Sequence, residues 1–210
     1  MRGVILLDNS NNTLQNILST AQGEFLKNGF RAASLRNIVK EAGVTTGAFY
    51  GYFKNKEELF DALVSEPAEA FLGEFMNAQV TFSNLPEAEQ PQNMGKITGS
   101  CMEVLLDYIF EHFSAFKLII CCSEGTKYEN FIHDIVEIEI KYTHDFMKVL
   151  KNLGNDVPDI DPQLEHILVS GMFSGLFEIV VHDIPKARAI EFARELREFY
   201  TAGWKKIMGL

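Results

Sequence analysis

The chain has 210 residues, 47% of them hydrophobic and 23% charged, with three cysteines and a net charge of −10. This balance argues against a disordered chain, and the unpatterned, odd-numbered Cys101, Cys121 and Cys122 argue against a disulfide framework or zinc site. The apolar run at residues 3–7 is closed by Asp8 and the charge-free run at 167–177 is too short for a bilayer, so the expectation is a soluble, cytoplasmic protein without a membrane partner.

Strand signals are nearly absent and apolar residues recur at three- and four-residue spacing, which predicts an all-α fold. A first helix is expected after Asn11 or Asn12, with Leu14, Ile17, Leu18, Ala21, Phe25 and Leu26 on one stripe and a C-cap at Asn28-Gly29. Ser34 caps a short second helix that turns Leu35, Ile38 and Val39 inward and closes at Ala42-Gly43. Thr45 caps a third, running to Phe53, and a fourth starts at Asn55-Lys56. Pro67 is expected to end or kink that fourth helix because it lacks an amide. A loop is expected at 83–92, then helices at about 94–112, 114–122, 128–153, 162–182 and 186–208.

Charge is unevenly spread. Residues 25–56 carry six basic side chains against Glu41 alone, whereas residues 67–210 carry 12 basic and 22 acidic ones. A local basic excess of this kind orients a molecule toward a polyanion. The second and third helices, joined by Gly43-Val44, form a helix-turn-helix pattern in which Gly43 makes the corner and Val44 plugs it.

The run from 34 to 60, SLRNIVKEAGVTTGAFYGYFKNKEELF, resembles the DNA-binding signature of the TetR family of transcriptional regulators, and Ile17-Leu18, Ala21, Phe25 and Gly29-Phe30 match its first-helix pattern. The resemblance covers residues 13–64. It implies a three-helix DNA-binding head at 1–55 and a helical effector-binding and dimerisation body at 56–210. In the head, Thr45 and Thr46 would meet phosphate or base edges at the start of the recognition helix. Gly47 lets backbone approach DNA, and Ala48 would touch a thymine methyl. Tyr50 and Tyr52 would meet phosphate, Lys54 adds charge, and Lys56 would clamp phosphate at the start of the fourth helix. Ser34 and Arg36 stand near the backbone crossing; Phe53 and Val44 are core. The family's basic arm before the first helix is reduced here to Arg2.

In the body, the helix at 162–182 is apolar on all sides and therefore buried on both flanks. With the last helix it resembles the family's four-helix dimer face, through Gly171, Gly175, Phe192, Leu196, Phe199 and Gly203. A pocket for a small effector is implied, with Phe71, Phe75, Met102 and Leu105 as candidate lining. Tyr108, Phe116, Met147 and Phe173 complete that candidate set. No cofactor and no metal are expected, the polar face holding His133, Glu137, Lys141 and His144 being read as solvated. The chain holds no GxSxG, HExxH, Walker A or GxGxxG motif, so an enzyme is not the expectation. The expected function is a ligand-responsive regulator, most often a repressor, that binds a palindromic double-stranded operator as a homodimer; an activator or an adaptor without ligand control is the alternative.

Overall fold

A computed structural model describes residues 2–210, with side chains at 12–97 and 99–210. The side chains of Arg2 and Asn11 thus lie outside the described residues. The described residues contain nine α-helices and no strand: α1 (Arg2–Ala32), α2 (Leu35–Glu41), α3 (Thr46–Tyr50), α4 (Lys56–Ser83), α5 (Gln90–Glu111), α6 (Phe113–Cys122), α7 (Phe131–Asn152), α8 (Pro162–Val181) and α9 (Lys186–Met208). A 3₁₀ turn at Glu87–Glu89 precedes α5.

Several boundaries differ from expectation. Helix α1 begins at Arg2, so neither Asn11 nor Asn12 is its N-cap; it breaks where expected, at Gly29, whose φ of 70° leaves the helical region. Helix α3 stops at Tyr50 because Gly51 and Tyr52 already form a turn. Helix α4 runs unbroken through Pro67 to Ser83. Val64, Pro67, Ala68 and Phe71 are all buried around that position, and this packing offsets the one missing backbone bond.

The chain divides into two compact units, residues 1–68 with 114–129 and residues 69–113 with 130–210. The first therefore reaches past residue 55 and includes most of α6 and the loop after it. The division inside α4 falls just beyond Pro67.

The first unit is built around rings. Phe25, Phe49 and Phe60 are fully buried with Ile17, Ala21, Ile38, Leu59 and Val64. Phe60 meets Phe25 edge-on at 5.1 Å and Phe30 at 5.4 Å. Leu26, assigned to the same stripe, is instead 38% exposed. The loop after α6 is fastened to α1 and α4 within this unit: Arg31 pairs with Glu124 at 2.7 Å, Lys127 pairs with Asp61 at 2.6 Å, and the Tyr128 hydroxyl donates to Asp61.

In the second unit α7 packs on α8, and α9 packs on both α5 and α8. Leu106, Leu176, Ile179, Ala189 and Ala193 form one core cluster; Phe146, Met147, Leu150, Val157 and Met208 form another. Helix α8, capped by Asp161 on the amides of Gln163 and Leu164, is long and apolar enough to cross a membrane. Its apolar character is used internally, since Val169, Met172, Phe173, Leu176, Phe177, Ile179 and Val180 are buried.

Candidate nucleic-acid interface and ligand cavity

The helix-turn-helix corner is set by backbone hydrogen bonds. Gly43 donates to the Lys40 carbonyl and Val44 to the Val39 carbonyl, both at 3.2 Å, the paired closure of a left-handed helix end. Gly43 has a φ of 69°, which a residue with Cβ adopts only under strain. The Ser34 hydroxyl accepts from the Asn37 amide at 3.3 Å, and Thr45 Oγ1 accepts from Ala48 at 3.1 Å, so each short helix is capped by the residue expected to do so. The Ser34 amide in turn donates to the buried Glu24 carboxylate at 2.9 Å, tying the start of α2 to α1. Glu24 interrupts the apolar stripe of α1 beside Phe25, and that interruption is the signal in the sequence that could have identified it.

Helix α3 is anchored by one residue. Phe49 is fully buried, packing near Phe53, which is also buried, and Val44 is half-buried. Everything around Phe49 faces outward: Thr45, Thr46, Gly47, Ala48 and Tyr50 are exposed and Tyr52 is half-buried. Arg36 and Lys54 are exposed as well, and Ser34 is half-buried. The start of α4 is capped by Asn55 Oδ1, which accepts from the Glu58 amide at 2.7 Å, while Glu58 accepts from the Lys54 amide at 2.6 Å.

Lys56 departs from expectation. Its ammonium is turned into the protein, donating to the carbonyls of Phe30 at 2.7 Å and of Arg31 and Ala33 at 3.2 Å, and it lies 4.5 Å from the centre of the Phe30 ring. An ammonium has three N–H donors. All three are used on the carbonyls left open after the break at Gly29, so Lys56 caps the end of α1 rather than standing free for phosphate.

Residues 17–63 match the family described as bacterial regulatory proteins, tetR family. This segment, which holds the helix-turn-helix, is what the chain shares with that family. Over 62 residues, 30% of this chain, it is 44% identical to the HTH-type transcriptional regulator AcrR of Shigella flexneri, and over 63 residues it is 35% identical to the HTH-type transcriptional regulator UidR of Escherichia coli K12. These matches cover 28% and 32% of the two relatives. The chain spans 22–28% of the length of the curated relatives it matches first. In fold it is similar to a TetR family member from Streptomyces coelicolor, with a TM-score of 0.55, 18% identity and 88% of each chain covered. It is also similar to the TetR family transcriptional regulator PfmR from Thermus thermophilus, with a TM-score of 0.52, 18% identity, and 88% of this chain and 96% of that one covered.

The second unit holds a cavity of about 130 Å³. Of the expected lining residues, Phe71, Phe75, Met102, Leu105 and Phe173 are in its wall. The other three are not. Phe116 is core of the first unit, Met147 is core of the second, and Tyr108 packs against His112 with ring centres 4.4 Å apart and the rings tilted by 42°. Periodicity identified apolar walls but missed the polar groups among them, Gln79, Cys101, Glu139, Thr143 and Arg197. Glu139 accepts a 2.5 Å bond from Gln79 Nε2, and burial pushes its carboxyl up to about 7 against that bond. Cys101 is pushed up to about 11 by burial and by the carboxylates of Glu74 and Glu139, so its thiol stays protonated.

On α8 and α9 the assigned dimer-face residues divide in two. Gly171 and Gly203 are exposed, as are Phe192 at 38% and Phe199 at 72%. Gly175 and Leu196 instead face each other inside the protomer, a Cβ on Gly175 falling 3.5 Å from Leu196 Cδ2. The polar face of α7 is also less free than expected, since His144 lies 2.6 Å from the buried carboxylate of Glu165.

Proposed function

We propose that this protein is a ligand-responsive TetR-type repressor that binds a palindromic operator as a homodimer in the cytoplasm and leaves it when a small molecule fills the cavity. The observation that carries the reading is the outward presentation of Thr45, Thr46, Gly47, Ala48 and Tyr50 around the single buried anchor Phe49. A short helix anchored through one ring leaves its remaining side chains available to the major groove, and Arg36 and Lys54 flank it for phosphate. In functional terms residues 1–55 read DNA and 56–210 sense ligand and dimerise.

The coupling follows from continuity of one helix. The first half of α4 supplies Leu59, Phe60 and Val64 to the core of the first unit, and its second half supplies Phe71, Phe75 and Gln79 to the cavity wall. Ligand contacts along the second half bias the position of the first.

Titration of the full chain against the intergenic DNA upstream of its gene tests the reading. Thr46→Ala is expected to weaken binding about tenfold by removing one groove contact, with an unchanged melting temperature because Thr46 is exposed. DNA binding that is absent in the wild type, or equal in the variant, would refute the assignment. Dimerisation is checked separately. Phe199 places a largely exposed ring two turns after the partly exposed Phe192 on α9, apolar surface that a second copy would cover. Phe199→Glu is expected to give monomers in sedimentation and to lose operator binding; a variant that stays dimeric excludes this face.

A further inference from the structure

The second-unit cavity carries an electrostatic preference. Its apolar wall includes the rings of Phe75, Phe173, Tyr142 and Trp204. Into this wall Glu139 brings a carboxyl whose surroundings are burial and the Gln79 amide, with no lysine or arginine among the described residues paired to it. A carboxylate in a largely apolar cavity calls for a cation or a proton.

Sequence position adds to this: Glu139 lies on α7 four residues after Ile135 and seven before Phe146, both buried, where an apolar side chain would extend the stripe.

The charged and titratable groups facing Glu139 are few. From α4 comes only the neutral amide of Gln79; from α5 comes Cys101, held protonated by burial and by the carboxylates of Glu74 and Glu139. From α7 comes Tyr142, whose hydroxyl donates to Met76 Sδ at 3.5 Å. Helix α8 contributes only apolar Met172, Phe173 and Leu176. From α9 come Tyr200 and Arg197, the only cation of the wall among the described residues. The Arg197 guanidinium is laid against Gly99 of α5, Nη1 lying 1.7 Å from where a Cβ on Gly99 would be, and it is absent from the influences on Glu139.

We propose that this cavity takes an organic cation, a molecule with an aromatic or apolar body and a protonated amine or amidinium nitrogen that pairs with Glu139. The inference rests on reading the cavity as the effector site. Aromatic rings in the wall beside the carboxylate favour a cation over an anion, and residues 67–210, with 22 acidic side chains against 12 basic ones, raise the local concentration of cations.

Three molecules with one skeleton and different charge test it: 4-phenylbutylamine, 4-phenylbutanol and 4-phenylbutyrate, titrated calorimetrically into the full chain at pH 8. The amine is expected to bind at least tenfold more tightly than the alcohol, and the carboxylate most weakly. Glu139→Gln is expected to reduce amine affinity to that of the alcohol and leave the alcohol unchanged. The wild type supplies a test independent of that variant's folding. With Glu139 at about 7, amine affinity is expected to fall about tenfold from pH 8 to pH 6 as the carboxyl takes a proton, while alcohol affinity holds.

Tightest binding by the carboxylate would make Arg197 the anchor and overturn the proposal. So would equal binding of amine and alcohol, a flat pH profile for the amine, or no binding by any of the three. Release of the upstream DNA by the amine is measured apart: Glu139-dependent binding without release would sink the ligand-response reading and leave the cation site standing.

Discussion

Phe60→Ala is expected to cost the first unit about 3–5 kcal/mol, the range for removing a fully buried aromatic ring. Phe60 joins four segments at once. It sits on α4, meets Phe25 of α1 at 5.1 Å, meets Phe30 beyond the Gly29 break at 5.4 Å, and has Tyr128 of the loop after α6 at 6.2 Å. None of its surface is exposed. Its removal leaves a void whose walls belong to α1, α4 and the loop, so no single side-chain motion fills it. The loss is expected as a fall of about 10 °C in the circular-dichroism melting midpoint and as loss of DNA binding at growth temperature. Leu26→Ala is the matched control: Leu26 is 38% exposed, and the expected cost is below about 1 kcal/mol. Equal midpoints for the two variants would show that the ring cluster is not the core of this unit.

The contrast between Phe60 and Leu26 also marks how far the sequence could be read. Period-3.6 spacing located Ile17, Ala21 and Phe25 correctly, because three consecutive turns agreed. Leu26 lies 100° around the helix from Phe25, at the stripe's edge, where spacing alone cannot separate rim from core. Caps were legible for a local reason. Ser34, Thr45 and Gly43 act on amides or carbonyls within a few residues, so their roles do not depend on the rest of the fold. Pro67 was not legible in this way. Whether a helix continues past a proline depends on what both sides bury, here Val64 and Phe71, and that is tertiary information.

The cavity shows the same limit from the polar side. Phe71, Phe75, Met102, Leu105 and Phe173 could be named from composition, while Phe116 and Met147, identical in kind, pack elsewhere. Glu139 did leave a trace. An acid in register with Ile135, Tyr142 and Phe146 breaks the apolar stripe of α7, and such a break marks either a defect or a site. Reading α7 for what interrupted its stripe, as well as for what continued it, would have found the group.

Lys56 separates charge from contact, and its replacement gives the second large effect. Lys56→Met keeps the length of the stem and removes three charge-assisted hydrogen bonds, individually worth about 1.5–3 kcal/mol to a charged donor. Of the released carbonyls, that of Arg31 is exposed to water and those of Phe30 and Ala33 are part-buried, so water makes good only part of the loss and the expected net cost is about 2 kcal/mol of stability. The slope of log affinity against log salt is expected to stay the same, because an ammonium already holding three carbonyls makes no direct phosphate contact. Lys54→Met is expected to behave oppositely. The Lys54 side chain is 87% exposed and its nearest partner, Glu58, lies 3.9 Å away, so its loss should leave stability within about 0.5 kcal/mol. If Lys54 neutralises one phosphate, the salt slope becomes shallower by about 0.9. Denaturation midpoints and salt titrations on both variants decide the matter. A shallower slope for Lys56→Met with unchanged stability would return Lys56 to the phosphate clamp and show that the carbonyl bonds give way when DNA is bound.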